Sequence, residues 1–333
     1  MNIYDVSQQA GVSIATVSRV LNGSPNVSGK TKEKVLRTMD EMGYTPNVFA
    51  RGLGLNTMKT IGVLCSDSSD PYLASAIYFL ERELRSNGYG SILCCTGYSL
   101  ENKKKCLSLL LSKRVDALIL AGSKFVELKS KDNAYLLQAA GEIPLMLVNG
   151  YLEGDHIYST VCDDRSAVCE AVTKLINSEC RRVLYVYTSN SYSGANKLQG
   201  YLDALACAGI PRDDALIRQC PKDITAARDL LLTLHRQGLE FQAVMVSDDA
   251  LAVGAVKYAH ALDIPVPDGL SVVGYNDSIL SRCTDPEITS VDTKVEALCI
   301  TTVSTLMGVF SGSNVPGKTT IAADLICRET TRF

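Results

Sequence analysis

Residues 3–23 read IYDVSQQAGVSIATVSRVLNG. The spacing predicts a first helix over residues 3–10, with Ile3, Val6 and Ala10 on one face. Gly11 breaks it, and Ser13 is placed to cap a second helix by accepting from a free backbone N–H. That second helix runs over residues 14–22, with Val17, Val20 and Leu21 inward and Gly23 just past its end. Further on, Ser28 caps a third helix that ends at Gly43, with Val35, Met39 and Met42 facing in. Two short helices joined by a glycine turn, backed by a third, predict a helix-turn-helix. The outer face of the second helix is small and polar: Ile14, Ala15, Thr16, Ser18 and Arg19. It fits a DNA major groove about 12 Å wide. Ile14 and Ala15 would meet base edges, and Thr16, Ser18 and Arg19 would reach phosphates or guanine. A solvated face on a helical cap is the alternative the pattern allows.

The charge distribution agrees. Residues 1–60 hold seven basic and four acidic side chains, a balance of +3, within a chain of net charge −3. The remainder is therefore −6. A basic head on an acidic body suits a polyanion-binding module fused to something else. The chain has 333 residues, 46% hydrophobic and 21% charged. At roughly 150 residues per domain it should form two or three domains. Fibrous and disordered classes are excluded by composition, and no apolar run approaches the roughly 20 residues of a membrane span. The N-terminus has no signal-peptide pattern, so a cytoplasmic location is expected. Twelve cysteines lie mostly in apolar runs, including Cys65, Cys94, Cys95, Cys162, Cys169 and Cys299. They read as reduced, buried thiols, because no C-x-x-C or paired metal-ligand spacing occurs. No metal and no cofactor is expected.

The run IYDVSQQAGVSIATVSRVLNG closely resembles the DNA-binding head of the LacI–GalR family of bacterial transcription regulators, with Ser7 where the family pattern has Ala. The similarity continues through Val27-Ser28 and Gly43-Tyr44-x-Pro46-Asn47. The resemblance implies that Ser13, Ile14, Ala15, Thr16, Ser18, Arg19 and Asn22 serve DNA binding. It also implies that 47–58, NVFARGLGLNTM, is a hinge that becomes a helix in the minor groove. Leu53 would be an apolar wedge between base pairs, with Ala50 beside it. By itself the segment is too short and glycine-weakened to hold a helix in water; a plain linker is the alternative.

After Thr60 the period changes. Strands are predicted at Ile61–Ser66, Ser91–Cys95, Ala117–Ala121 and Leu145–Val148, with helices near 73–87, 101–113 and 132–140 between them. A second series is expected to begin with Thr160–Asp163 and to continue through Val183–Tyr187, Ala243–Val246 and Ser271–Gly274. Helices near 164–178, 194–208, 224–237 and 250–262 intervene. This βαβ rhythm gives an α/β fold with parallel sheets covered on both faces. The strand tails are polar, among them Ser66–Asp70, Asn149, Asp163-Asp164, Ser189–Ser193, Ser247–Asp249 and Asn276-Asp277. Ligands bind beyond such strand ends, although half of these residues are expected to serve only as helix caps.

The resemblance covers this part too, through IGVLCSDSSDPYL, LQGYLDALACAGIP, AVMVSDDALAVGA and GLSVVGYNDS. It implies a two-lobed, periplasmic-binding-protein-like (type I) body behind an all-α head. The expected divisions are 1–46 for the head, 47–59 for the hinge and 60–333 for effector binding and dimerisation. It implies Ser66, Tyr72, Asn149, Ser193, Lys197, Asp248 and Asn276 as effector-binding residues, with Tyr72 stacking on the ligand. Four depart from the family's usual types: Lys197 stands for Arg, Asp248 for Asn, and Asn149 and Asn276 for Asp. Lysine is a point charge and arginine a planar fork, so the effector or its pose should differ. The implied protein is a repressor without enzymatic activity, binding a palindromic double-stranded operator as a homodimer under a carbohydrate-type effector. The chain stops at Arg332-Phe333 without the leucine heptad helix of tetrameric members, which favours the dimer. A sugar-binding protein without DNA function, control by a partner protein and a nucleobase corepressor stay open. Gly317-Lys318-Thr319 lacks the spacing of a phosphate loop.

Overall fold

The computed structural model describes residues 2–21, 24–44 and 57–333. The head is built from α1 (Ile3–Ala10), α2 (Ile14–Leu21) and α3 (Gly29–Glu41). Its capping follows the sequence closely. Gly11 adopts a left-handed φ of 59° and closes α1 by donating to Gln8 and Ser7 carbonyls. Ser13 Oγ accepts from Thr16 N at 3.1 Å at the start of α2, and Ser28 Oγ from Thr31 N at 3.3 Å at the start of α3. Val6, Ala10, Val17, Val20, Val35 and Met39 form one buried cluster.

The body contains two six-stranded sheets. The first is made of β1 (Thr60–Cys65), β2 (Gly90–Cys95), β3 (Ala117–Ala121), β4 (Leu145–Val148), β5 (Ile157–Cys162) and β11 (Lys318–Ile321), in the order β11-β5-β4-β3-β1-β2. Helices α4 (Pro71–Ser86) and α11 (Val295–Phe310) cover one face. Helices α5 (Leu100–Ser112) and α6 (Ala134–Ala140) cover the other. The second sheet holds β6 (Val183–Tyr187), β7 (Ile217–Gln219), β8 (Ala243–Val246), β9 (Ser271–Tyr275), β10 (Thr289–Asp292) and β12 (Asp324–Ile326), in the order β12-β10-β9-β8-β6-β7. It lies between α7 (Asp164–Asn177) with α8 (Tyr192–Cys207) and α9 (Ile224–Arg236) with α10 (Asp249–Ala261). Because both faces are covered, β3, β4 and β8 are buried along their whole length, which is why they read as continuous apolar runs.

Several expectations are corrected. The strand at Thr160–Asp163 does not open the second lobe. It belongs to β5, which pairs in parallel with β4 in the first sheet. The lobes therefore exchange chain after β5, after β10 and after β11. Strands β7, β10, β11 and β12 and helix α11 were not anticipated. All four of these strands have only three or four residues, too few to show a period. Gly317-Lys318-Thr319 leads into the edge strand β11 and is no phosphate loop. The cysteines divide: Cys65, Cys162 and Cys299 are buried, whereas Cys94 and Cys169 are partly exposed and Cys95 is exposed. Cys94 and Cys95 end β2, an edge strand with one side unpaired. Residues 57–59 are already tied to the body, since Asp116 accepts from Met58 N and Thr60 N, each at 2.9 Å.

Candidate functional site: an interlobe cleft and a helix-turn-helix surface

The strand ends of the two sheets face one another across a cleft enclosing about 710 Å³, its open mouth included. All seven expected effector residues line it. From the N-terminal lobe, Ser66 follows β1 directly. Asp70 caps α4, its Oδ1 accepting from Tyr72 N at 3.0 Å and Leu73 N at 3.3 Å. Asn149 follows β4 in a left-handed conformation with φ of 62°. Its Nδ2 donates to the Tyr72 hydroxyl at 2.9 Å, and its Oδ1 accepts from Cys162 N at 2.9 Å. Asn149 thus braces Tyr72 against β5 within the N-terminal lobe.

The C-terminal lobe offers the opposing wall. Ser191 caps α8, and Gly194 sits so close to the preceding loop that an added Cβ would lie 2.0 Å from the Ser189 carbonyl oxygen. Ser193 and Lys197 follow in the first turns of α8. The Lys197 ammonium donates to the Ser247 carbonyl at 3.1 Å and lies 3.5 Å from the centre of the Tyr275 ring. Burial pushes its pKa down, opposed by the nearby Asp164 and Asp248 charges. Tyr275 in turn donates to Asp164 Oδ1 at 2.5 Å. Asp248 caps α10 through Oδ1, which accepts from Ala250 N at 3.0 Å. Its Oδ2 faces the cleft and accepts from Asn276 Nδ2 at 3.0 Å.

Polar contacts in the cleft join the lobes. Lys222 Nζ lies 2.6 Å from Asp70 Oδ2 and 2.5 Å from Asp248 Oδ2. Burial works against that charge, but Asp248 and Asp70 outweigh it and raise the Lys222 pKa. The hydroxyls of Ser123 and Ser191 are 2.8 Å apart. Lys222, Lys124, Tyr98, Ser123 and Phe125 also line the cleft and were missed. Lys222 follows the three-residue β7, and Lys124 lies in a single 3-10 turn at Ser123–Phe125; neither segment carries a period. Asp70, Asp163, Ser191 and Asp248 each cap a helix, but Asp70, Ser191 and Asp248 also line the cleft, so of these four capping alone holds only for Asp163. Asp70 and Asp248 do both jobs, one oxygen capping and the other facing the cleft.

On the head, Ser13, Ile14, Ala15 and Arg19 are exposed, while Thr16 and Ser18 are partly so. The Thr16 hydroxyl is 2.9 Å from Ser13 Oγ, so the capping interaction occupies part of its hydrogen-bonding capacity. Tyr4, which the sequence reading passed over, is exposed on α1. Asn22, Ala50 and Leu53 lie outside the described residues. No group of three His, Cys, Asp or Glu among the described residues is placed to hold a metal ion, and no described helix is long and apolar enough to cross a membrane.

Comparison with known proteins gives two family matches. Residues 2–47 match bacterial regulatory proteins of the lacI family. Residues 58–329 match periplasmic binding proteins and the sugar-binding domain of the LacI family. An HTH-type transcriptional regulator of Lachnoclostridium phytofermentans is 58% identical over 333 residues, covering 100% of both chains. The HTH-type transcriptional regulator AscG of Escherichia coli is 29% identical over 98% of this chain and 97% of its own. Among solved structures, the lac repressor dimer bound to operator and the anti-inducer ONPF superposes with a TM-score of 0.90 at 25% identity, over 99% of each chain.

Proposed function

The chain belongs to the LacI family of bacterial regulatory proteins, DNA-binding transcriptional regulators and not enzymes, and from that premise we propose how its parts work. The cleft is the effector site, and α2 is the operator reader. The observation that carries this is the meeting of all seven implied residues, from both lobes, in one cavity. A small polyhydroxylated effector bound there touches both walls and changes the balance between open and closed lobes. Two heads of a cytoplasmic homodimer read the halves of a palindromic operator about 34–36 Å apart. Lobe movement alters how the heads are held, so effector and operator affinities change reciprocally. Leu53, with Ala50, wedges the minor groove, and Asn22 contacts the DNA beside the recognition helix.

Asp248→Asn tests the cleft. Asparagine keeps an oxygen for the Ala250 N–H, so the cap of α10 survives, while the charge facing the cleft is removed. We expect operator affinity without effector to stay within about twofold, and the effector-induced change in it to fall at least about tenfold. Operator release measured against a panel of mono- and disaccharides reads this; an unchanged response removes Asp248 from the effector site.

The head is tested by exchanging Ile14 and Ala15 for larger polar residues. The preferred half-site, selected from random duplexes, should change, because these side chains sit where the recognition helix meets base edges. An unaltered preference would assign the readout to other contacts.

A further inference from the structure

We propose that the effector carries an anionic group, a phosphate or a carboxylate, which docks on Lys124 beside the Ser123–Ser191 hydroxyl pair. This names the ligand class of the cleft and rests on reading the cleft as the effector site. Three lysines line the cavity, Lys124, Lys197 and Lys222, against two carboxylates, Asp70 and Asp248. The acids are already committed. Asp70 and Asp248 hold Lys222. Asp164 lies beneath the wall near Lys197. Glu127, in the same loop as Lys124, is bound at 2.6 Å by Lys103, whose ammonium also donates to the Lys124 carbonyl at 2.5 Å.

That leaves Lys124 without a carboxylate partner among the described residues. Its ammonium lies 4.5 Å from the centre of the Tyr98 ring. Burial lowers its pKa, Lys222 lowers it further and Lys103 adds to this, against the opposing influence of Asp70 and Asp248. Half-burial disfavours the charge of Lys124 unless an anion pairs with it. A ligand anion offsets that cost. Beside Lys124, the Ser123 and Ser191 hydroxyls are 2.8 Å apart across the two lobes. They can donate to oxygens of the same anion and so couple its arrival to closure. A neutral polyol would leave the Lys124 charge unmatched.

The test uses the full chain and its Lys124→Gln and Asp248→Asn variants, with glucose, glucose 6-phosphate, gluconate and inorganic phosphate as probes in calorimetry and thermal shift. At least one anionic probe should bind about tenfold or more tighter than glucose. That preference should vanish in Lys124→Gln, whose DNA-binding head is unchanged, so the difference reports the cleft alone. Glucose 6-phosphate against gluconate separates phosphate from carboxylate, and inorganic phosphate reads the anion pocket without the sugar. Glucose binding as tightly as the anions, lost in Asp248→Asn but untouched by Lys124→Gln, overturns the anionic class and leaves the effector cleft standing. If neither variant alters the response to any probe, both readings fall.

Discussion

Replacing Gly200 with valine is expected to lower the stability of the body by at least about 3 kcal/mol. Gly200 sits in α8 where that helix crosses α7. A Cβ there would lie 2.2 Å from the Arg165 carbonyl oxygen and 3.1 Å from Cys169 N. These are backbone atoms, so no rotamer change relieves the clash, and the two helices must separate. Separation exposes the cluster of Val168, Ala171, Val172, Tyr201, Ala204 and Leu205, and lost apolar burial costs about 25 cal/mol per Å². Since α8 also carries Ser193 and Lys197, effector response should fall with stability. Gly317→Ala is the control: it has open space around it and no left-handed φ. Urea unfolding of the three proteins decides the matter, and a Gly200→Val midpoint close to that of the control would refute the close-approach argument.

Asp249 should give the body a pH-dependent loss of stability. It is buried in α10, where Ser290 Oγ donates to Oδ1 at 2.6 Å and Ser278 N to Oδ2 at 2.7 Å. Burial nevertheless dominates and pushes its pKa up to about 6, from 3.8. A carboxyl that titrates higher when folded holds its proton more tightly in the native state. Its stabilising contribution is complete below about pH 4 and is lost as pH rises through about 6. A shift of this size corresponds to roughly 3 kcal/mol. Asp249→Asn stays neutral throughout. The stability difference between variant and wild type should therefore move in favour of the variant between pH 4 and 7, then level off. Parallel stability curves across that range would show that the carboxyl titrates normally.

These two side chains mark the boundary of what could be read in advance. Gly200 appeared in a motif, but nothing in its neighbours announced a partner helix some 35 positions earlier in the chain. Asp249 sat in the same polar strand tail as Asp248, and only the family resemblance set Asp248 apart. One is buried under β9 and β10, and the other lends an oxygen to the cleft. That difference arises from packing between segments far apart in sequence.

The chain's own pattern determined the three-helix head, down to its capping residues Gly11, Ser13 and Ser28, because caps and helical faces are local and involve neighbours within four residues. It determined the βαβ rhythm of the body for the same reason, since strands covered on both faces must be continuously apolar. It also placed polar side chains at the strand ends. Only the tertiary structure decided that β5 belongs to the first sheet, that the chain returns through α11 and β11, and that Lys222 reaches between Asp70 and Asp248. Strand order and ion pairing depend on which distant segments come within a few ångströms, and short strands carry too few residues to signal it.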